Sequence, residues 1–313
     1  MSGYLGLDTS NYTTSAAYWA AGADKPVQAK QLLPVAQGQM GLRQSDAVFH
    51  HTRQLPDVME RLQGSLAGGI AAVAASDRPQ QTDGSYMPCF LVGTGAARQL
   101  GAALGVPVHF FTHQQGHVMA ALTGADCLHL RRAPFLAFHV SGGTTDALLV
   151  EPDEDCIIRC RVVGHSLDLK AGQLIDRVGG MLGLPFPAGP SLEQLAAGAQ
   201  GTYKVRPVLR GSDCHLSGVE NQCRDRLAQG MPQAEVARFC LESVAAALEG
   251  MTESLLSRYG EMPLVYAGGV MSNGMIRERF TARYGGHFAP PVYSADNAAG
   301  IACLCRIKEE EKG

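Results

Sequence analysis

Charge is scarce in this chain of 313 residues: Asp, Glu, Lys and Arg make up 18% of it, below the roughly 25% of typical soluble domains. Much of the surface is therefore small and neutral. A basic excess is missing too, and the formal net charge of −3 excludes a strongly basic nucleic-acid binder, whose affinity comes mainly from Lys and Arg neutralising phosphates. Any RNA contact needs a local patch or a partner, and DNA is not expected. The nine cysteines include no C-x-x-C pair and are odd in number, so neither a disulfide framework nor a zinc ribbon is indicated and reduced, buried thiols are the expectation. No apolar run reaches the roughly 18 residues of a membrane helix. The segment Met1–Gly6 has no cationic leader, and a cytoplasmic location is expected. Low-complexity sequence is absent apart from the charged tail Lys308–Lys312, which reads as a solvated end.

Length and glycine are what the chain has in plenty. Its size suits two lobes of roughly 100–200 residues each, with a cleft between them. Glycine occurs 37 times, with pairs at Gly142-Gly143, Gly179-Gly180, Gly268-Gly269 and Gly285-Gly286; such pairs mark turns and close backbone approach.

Apolar runs at Tyr4–Leu7, Thr14–Trp19 and Val27–Leu33 predict an opening antiparallel meander. A helix at about Gln54–Leu66, a strand at Cys89–Val92, a helix at about Thr94–Leu104 and a strand at about Val106–Phe110 follow, an alternating α/β pattern. A second strand–turn–strand unit, Phe135–Val140 and Thr145–Val150, echoes the first, because each apolar strand leads into a Ser/Thr-rich turn. That echo suggests a duplicated domain. Helices are predicted at about Leu169–Leu182, Gln233–Tyr259 and Asn273–Arg283 and from about Asn297, with a strand at Leu264–Ala267. The irregular stretch Gly198–Gly218, with Lys204, Arg206 and Arg210, reads as a mobile loop.

Turns of Gly, Ser and Thr after a strand gather N–H groups and hydroxyls around an anion. For any one of them alone, a tight hairpin turn is the better explanation. In the order Asp8-Thr9-Ser10-Asn11, Ser141-Gly142-Gly143-Thr144-Thr145 and Ala267-Gly268-Gly269-Val270, however, they resemble the two phosphate loops and the adenosine loop of the actin, sugar-kinase and heat-shock ATPase superfamily. Asp8 would then stand where a carboxylate holds a metal-bound water near phosphates.

His113-Gln114-Gln115-Gly116-His117 is the sharpest local signal, since histidines at i and i+4 lie on one helix face and reach one metal ion. Two surface histidines at chance spacing remain the competing explanation. Gln114 stands where a metalloprotease helix carries its glutamate base, so peptidase chemistry is disfavoured. Asp296, at the start of the last predicted helix, is either a helix cap or the third ligand of a His–His–Asp set suited to iron or zinc.

Taken together, L-G-L-D-T-S, H-Q-Q-G-H, V-S-G-G-T-T, A-G-Q-L-I-D-R-V-G-G-M-L-G-L-P-F-P-A-G-P, L-S-G-V, A-G-G-V-M-S-N and S-A-D-N-A-A resemble the TsaD family in order and spacing across nearly the whole chain. The resemblance implies an α/β, two-lobed actin-like ATPase fold with duplicated domains and a central cleft. An N-terminal lobe of residues 1–110 is expected, with the C-terminal helix near 297–313 packed back on it, and a second lobe of residues 111–296 carrying the metal and nucleotide site. It also implies transfer of a threonylcarbamoyl group from threonylcarbamoyl-adenylate to adenosine in tRNA. Metal ligands would be His113, His117 and Asp296; nucleotide and substrate contacts would be Asp8, Ser10, Ser141, Gly142, Gly143, Thr144, Asp176, Gly189, Gly268, Gly269 and Asn273. Asp176 would hold ribose hydroxyls, although it could simply pair with Arg177, and Asn273 would contact the adenosine, although it could simply cap its helix. One divalent metal, iron or zinc, and ATP, AMP or an acyl-adenylate are the implied cofactors, with magnesium as a further ion. The implied partners are tRNA, a small ATPase and an inactive paralogue, with no membrane. No general base stands out.

Four places depart from the family pattern. Tyr12 and Thr13 replace two acidic residues, Thr144 replaces histidine, Glu220 replaces lysine, and Tyr86-Met87-Pro88-Cys89 stands where the family has a P-G segment. A related carbamoyl or acyl transferase with another acceptor, and a non-catalytic nucleotide-binding subunit of a modifying complex, are therefore alternative expectations.

Overall fold

The computed structural model describes residues 2–10, 12–34, 42–294 and 298–311. Asp296 and the start of the last predicted helix at Asn297 lie outside the described residues. The chain opens as the expected meander: β1 (Gly3–Asp8), β2 (Thr13–Trp19) and β3 (Val27–Leu32) pair antiparallel in sequence order. Helix α1 (Gln44–Glu60) follows, starting ten residues before the predicted Gln54. Its buried His51 and Gln54 meet the Thr14 hydroxyl at 2.8 and 2.9 Å, and this anchorage to β2 holds a helix that carries Pro56 within it.

Strand β4 (Ile70–Arg78) was not legible in the sequence. Its alanines favour helix in isolation, but the segment lies between β1 and β5 (Val108–Thr112), parallel to both, with residues 72–76 buried. Only there do its backbone groups find ladder partners. The predicted strand at Cys89–Val92 is instead the start of α2 (Phe90–Leu104), with Cys89 as its cap residue. A short apolar run cannot distinguish strand from buried helix by periodicity. Helix α3 (His113–Gly124) leaves β5 directly.

The second series runs β6 (Phe135–Val140), β7 (Thr145–Asp153), β8 (Ile157–His165), α4 (Ala171–Met181), α5 (Gly189–Ala196), β9 (Val208–Arg210), β10 (Asp213–His215), α6 (Ser217–Ala228), α7 (Gln233–Tyr259), β11 (Leu264–Ala267), α8 (Gly274–Tyr284), β12 (His287–Phe288), α9 (Pro291–Ser294) and α10 (Ala299–Glu310). The stretch read as a mobile loop thus contains the β9–β10 hairpin. The two main sheets share one plan: β3-β2-β1-β4-β5 and, in the same sense, β8-β7-β6-β11-β12. In both, the first strand pairs antiparallel with the second and parallel with the fourth, and the fourth is parallel to the fifth. The echo in the sequence is a true topological duplication.

Two compact units result. Unit 1 is Met1–Ala133 with Glu151–Cys160 and Val292–Gly313; unit 2 is Pro134–Val150 with Arg161–Pro291. The division falls after Ala133 rather than after residue 110, because α3 packs against α10, β4 and β5. The two histidines of α3 therefore belong to unit 1. Leu5, Leu7, Leu55, Val58, Leu62 and Val73 form the core of unit 1. In unit 2, Leu136, Phe138 and Leu149 of the sheet pack with Leu174, Val244, Met251 and Phe280 from the helices.

Helices α3 and α10 cross at their glycines. A Cβ on Gly300 would lie 1.8 Å from the Gly116 carbonyl oxygen and 2.7 Å from the Ala120 nitrogen, both backbone atoms that cannot swing aside. Gly300→Ala should therefore force the helices apart and cost about 3 kcal/mol, the upper range for overpacking. Urea unfolding reads this directly, and an unchanged midpoint would refute the close crossing.

Candidate functional site

In unit 1, β1 delivers the buried Asp8 to a turn that is pinned from two sides. The Thr9 hydroxyl donates to the Cys89 carbonyl (2.9 Å) and accepts from Gly93 N–H (3.0 Å), while Ser10 N–H donates to Asp8 Oδ1 (2.9 Å). Helix α3 begins with a capping box: the Thr112 hydroxyl accepts from Gln115 N–H (3.2 Å), and the Gln115 side-chain oxygen accepts from Thr112 N–H (2.8 Å). Gln115 also donates to the Cys156 and Ile158 carbonyls at 3.1 and 2.7 Å. With its start so determined, α3 places His113 in its first turn and His117 one turn on, both buried.

Their ring nitrogens converge. His113 Nε2 and His117 Nε2 are 2.9 Å apart, and on the far edge of the His113 ring Nδ1 lies 2.8 Å from Asp8 Oδ2 and 2.9 Å from Ser10 Oγ. Metal–imidazole bonds of about 2.0–2.1 Å meeting at a right angle separate two nitrogens by roughly 2.9 Å, so the pair fits adjacent positions around one cation. The carboxylate behind His113 is the usual orienting partner of a metal-bound imidazole. Asp8 thus engages Ser10 through one oxygen and His113 through the other. Burial pushes its carboxyl up, but the charge of His113 and the hydrogen bonds from His113 and Ser10 outweigh this and hold it below the usual range. Among the described residues no group of three His, Cys, Asp or Glu side chains is placed to hold a metal ion; the third expected ligand, Asp296, lies outside them. Gln114, in the protease-glutamate position, is engaged through its N–H with the Pro79 carbonyl (3.0 Å), and no peptidase base is present on this helix.

In unit 2, the turn between β6 and β7 is closed by Ser141 N–H donating to the Thr144 carbonyl at 2.8 Å. That bond uses the Thr144 backbone, so the turn does not depend on its side chain. Added Cβ atoms at Gly142 and Gly143 would meet nothing within 4 Å, whereas one at Gly172 would come within 2.6 Å of Gly142 N and Ser141 O. The N-terminus of α4 therefore rests on the turn, tied by Gly172 N–H to the Ser141 carbonyl (3.2 Å) and by Ala171 N–H to the Thr145 hydroxyl (2.9 Å). Helix N-terminus and open glycines together suit an anionic group. Gly268 adjoins this turn with φ +100°, and a Cβ there would lie 2.1 Å from the Val140 carbonyl oxygen; the open side of Gly269 follows it.

Asp176 accepts from Ala188 N–H at 2.8 Å, which joins α4 to the residue before Gly189. Arg177 pairs with Glu220 at 3.0 Å rather than with Asp176. Burial raises the Asp176 carboxyl above its ordinary value, partly opposed by the Ala188 N–H. Asn273 caps α8, accepting from Ile276 N–H at 3.2 Å, and its amide donates to Glu193 at 2.9 Å. Glu193, which sequence reasoning missed, also accepts from Gly274 N–H at 2.7 Å. Its signal was available as a lone carboxylate one turn into the helix opened by Gly189-Pro190, but only tertiary contact gives it a role. The structure thus gathers Asp8, Ser10, His113 and His117 in unit 1. In unit 2 it gathers Ser141–Thr144, Gly268 and Gly269, and it links Asp176 and Gly189 to Asn273 through α5.

Two of the departures from the family pattern, at Thr13 and Glu220, have local explanations. Thr13 is buried and Tyr12 exposed, so an acid at 13 would be desolvated. Glu220 bridges Arg177 and Arg224 at 3.0 and 2.9 Å, where a lysine would be repelled.

Duplicated sheets of this order, each with a Ser/Thr/Gly turn after its first strand, make the actin-like ATPase fold. Component A of the (R)-2-hydroxyglutaryl-CoA dehydratase of Acidaminococcus fermentans shares the fold at TM-score 0.58 and 17% identity, covering 99% of this chain and 100% of its own. HypF of T. kodakarensis does so at TM-score 0.63 and 12% identity, over 100% of this chain and 48% of its own. The chain belongs to the TsaD family: the family model described as tRNA N6-adenosine threonylcarbamoyltransferase matches residues 36–303. The Methanopyrus kandleri protein of that name is 31% identical over 270 residues, 84% of this chain and 75% of the relative.

Removing Glu193 leaves the Asn273 amide and the Gly274 N–H without their acceptor. Glu193→Ala should lower stability by about 1–3 kcal/mol and weaken AMP binding roughly tenfold or more, as read by calorimetry. AMP affinity equal to wild type would show that α5 shapes no nucleotide-binding surface.

Proposed function

We propose that this protein transfers the threonylcarbamoyl group from threonylcarbamoyl-adenylate to the exocyclic amine of adenosine in tRNA. The observation that carries the reading is the pair of α3 imidazole nitrogens 2.9 Å apart, backed by Asp8, in a chain matched to the family along residues 36–303. One divalent metal, iron or zinc, is held by His113, His117 and Asp296. Gly300 supports Asp296 as the third ligand, since the first turn of α10 rests on Gly116, between the two histidines in sequence. When bound, the metal supplies Lewis acidity toward a phosphate or carbonyl oxygen.

The protein groups do the rest. Asp8 keeps the His113 Nδ1 proton in place, so that Nε2 presents a lone pair. The Ser141–Thr144 turn and the α4 N-terminus receive the phosphate of the adenylate and the negative charge that develops at the acyl oxygen. Asp176 and Gly189 hold the ribose, and Asn273, braced by Glu193, meets the adenosine side. The amine attacks the carbamoyl carbon, the bond to the phosphate oxygen breaks, and AMP leaves. The absence of an α3 glutamate supports transfer rather than peptide hydrolysis. Binding of tRNA by a chain of net charge −3 relies on partner proteins, a small ATPase and a paralogue of this fold, in the cytoplasm. Among the described residues no helix is long and apolar enough to cross a membrane.

His117→Ala should reduce tightly held metal from about one ion per chain to near zero and slow tRNA modification by two or more orders of magnitude. Elemental analysis of anaerobically prepared protein and nucleoside analysis of the tRNA measure the two. Full metal content in the variant would remove the basis of this assignment.

A further inference from the structure

The reaction releases a proton from the attacking amine, and none of the residues assigned so far receives it. Unit 2 contains a carboxylate with nothing else to do. Asp146 is the second residue of β7, directly after Thr145, and is partly buried. Among the described residues it makes no hydrogen bond and no ion pair, and it is not one of those with a further contact. Its carboxyl oxygens are not among the fully buried atoms that lack a partner, so the group keeps access to solvent and to a bound ligand.

The direction of Asp146 follows from the sheet. The Thr145 hydroxyl is turned to α4, where it accepts from Ala171 N–H, so the next side chain along the strand lies on the opposite face. There Asp146 stands directly across from His139 of β6, one register pair below the Val140–Thr145 pair that carries the Ser141–Thr144 turn. Two further charged groups influence it: Lys170, which precedes α4 and donates to the Ser166 carbonyl at 3.0 Å, and His165 at the end of β8, which pairs with Asp213 at 3.1 Å. Neither Lys170 nor His165 reaches Asp146 as an ion-pair partner.

We infer that Asp146 is the proton acceptor of the transfer step, facing the reacting amine beside the Ser141–Thr144 turn. This rests on the proposed threonylcarbamoyl transfer and adds a residue to it. The amine nitrogen forms its bond to the carbamoyl carbon, the bond from that carbon to the phosphate oxygen breaks, AMP departs with the electron pair, and the amine proton passes to the Asp146 carboxylate. No other reactant is needed. Burial raises the Asp146 carboxyl above its usual range, against the lowering influence of Lys170 and His165, which strengthens it as a base.

Two measurements test this. In protein carrying 13C-labelled aspartate, with the Asp146 resonance assigned through Asp146→Asn, the carboxyl should titrate above the ordinary value of about 3.9. Saturating AMP should move that titration upward by roughly half a unit or more, because the phosphate charge lies beside it. A titration indifferent to bound AMP overturns the inference alone; failure of the wild type to bind AMP overturns the nucleotide assignment and this inference with it. In the second measurement, single-turnover transfer from threonylcarbamoyl-adenylate to tRNA is followed with the metal-loaded protein and its partners. Asp146→Asn should be slowed about 10²-fold or more with AMP affinity retained. It should also lose the acid limb of the pH profile, which in the wild type falls as pH drops through the raised pKa and the base is protonated. Asp146→Glu should recover part of the rate. A rate for Asp146→Asn within about twofold of wild type overturns the inference. A wild type inactive on tRNA would instead reject the proposed acceptor, leaving the AMP titration to decide whether Asp146 faces the nucleotide.

Discussion

The Asp8–His113 contact is the constraint around which unit 1 is organised. A carboxylate as buried as Asp8 loses most of its hydration, and it stays charged because an imidazole on one side and a backbone N–H on the other replace the lost water. The contact joins the end of β1 to the first residue of α3, 105 residues apart in sequence. It also settles which edge of the His113 ring is turned inward, and so where Nε2 points. A shift of α3 by one residue would break the capping box, the carboxylate contact and the approach to His117 together.

Small residues make this geometry reachable. Gly116 and Gly300 let α10 approach α3 to backbone contact, and Gly6 does the same for β1 against α10, since a Cβ there would lie 2.4 Å from Ala302 N. In unit 2 the corresponding closeness occurs at Gly172 against the Ser141–Gly142 backbone and at Gly268 against Val140. Many of the glycines conspicuous in the composition therefore serve close approach within each unit rather than flexible linkage. The low charge of the chain is consistent with this, because packed backbones leave little room for long charged side chains.

The departures from the family pattern sit at positions with different degrees of freedom. Thr144 closes its turn through a carbonyl that any residue would supply. Glu220 is committed to two arginines, so its charge is part of how α4 meets α6. These substitutions leave the imidazole pair and the glycine turns intact.

Local signals were enough for much of this. The i, i+4 spacing of His113 and His117, the Ser/Gly/Thr turns, the opening meander and the long α7 all follow from periodicity and turn chemistry within a few residues of chain, and the repeat of strand plus turn anticipated the duplication. Three-dimensional structure alone decided the rest. The alanine-rich segment Ile70–Arg78 became a central strand because only its neighbours could satisfy its backbone. The unit boundary moved past α3 because that helix packs on α10, from the far end of the chain. Asp8 became an orienting carboxylate, Glu193 a brace for Asn273 and Asp146 an unpartnered acid for the same reason: the environment of a side chain is set by residues distant in sequence, and no local pattern encodes which of them will arrive.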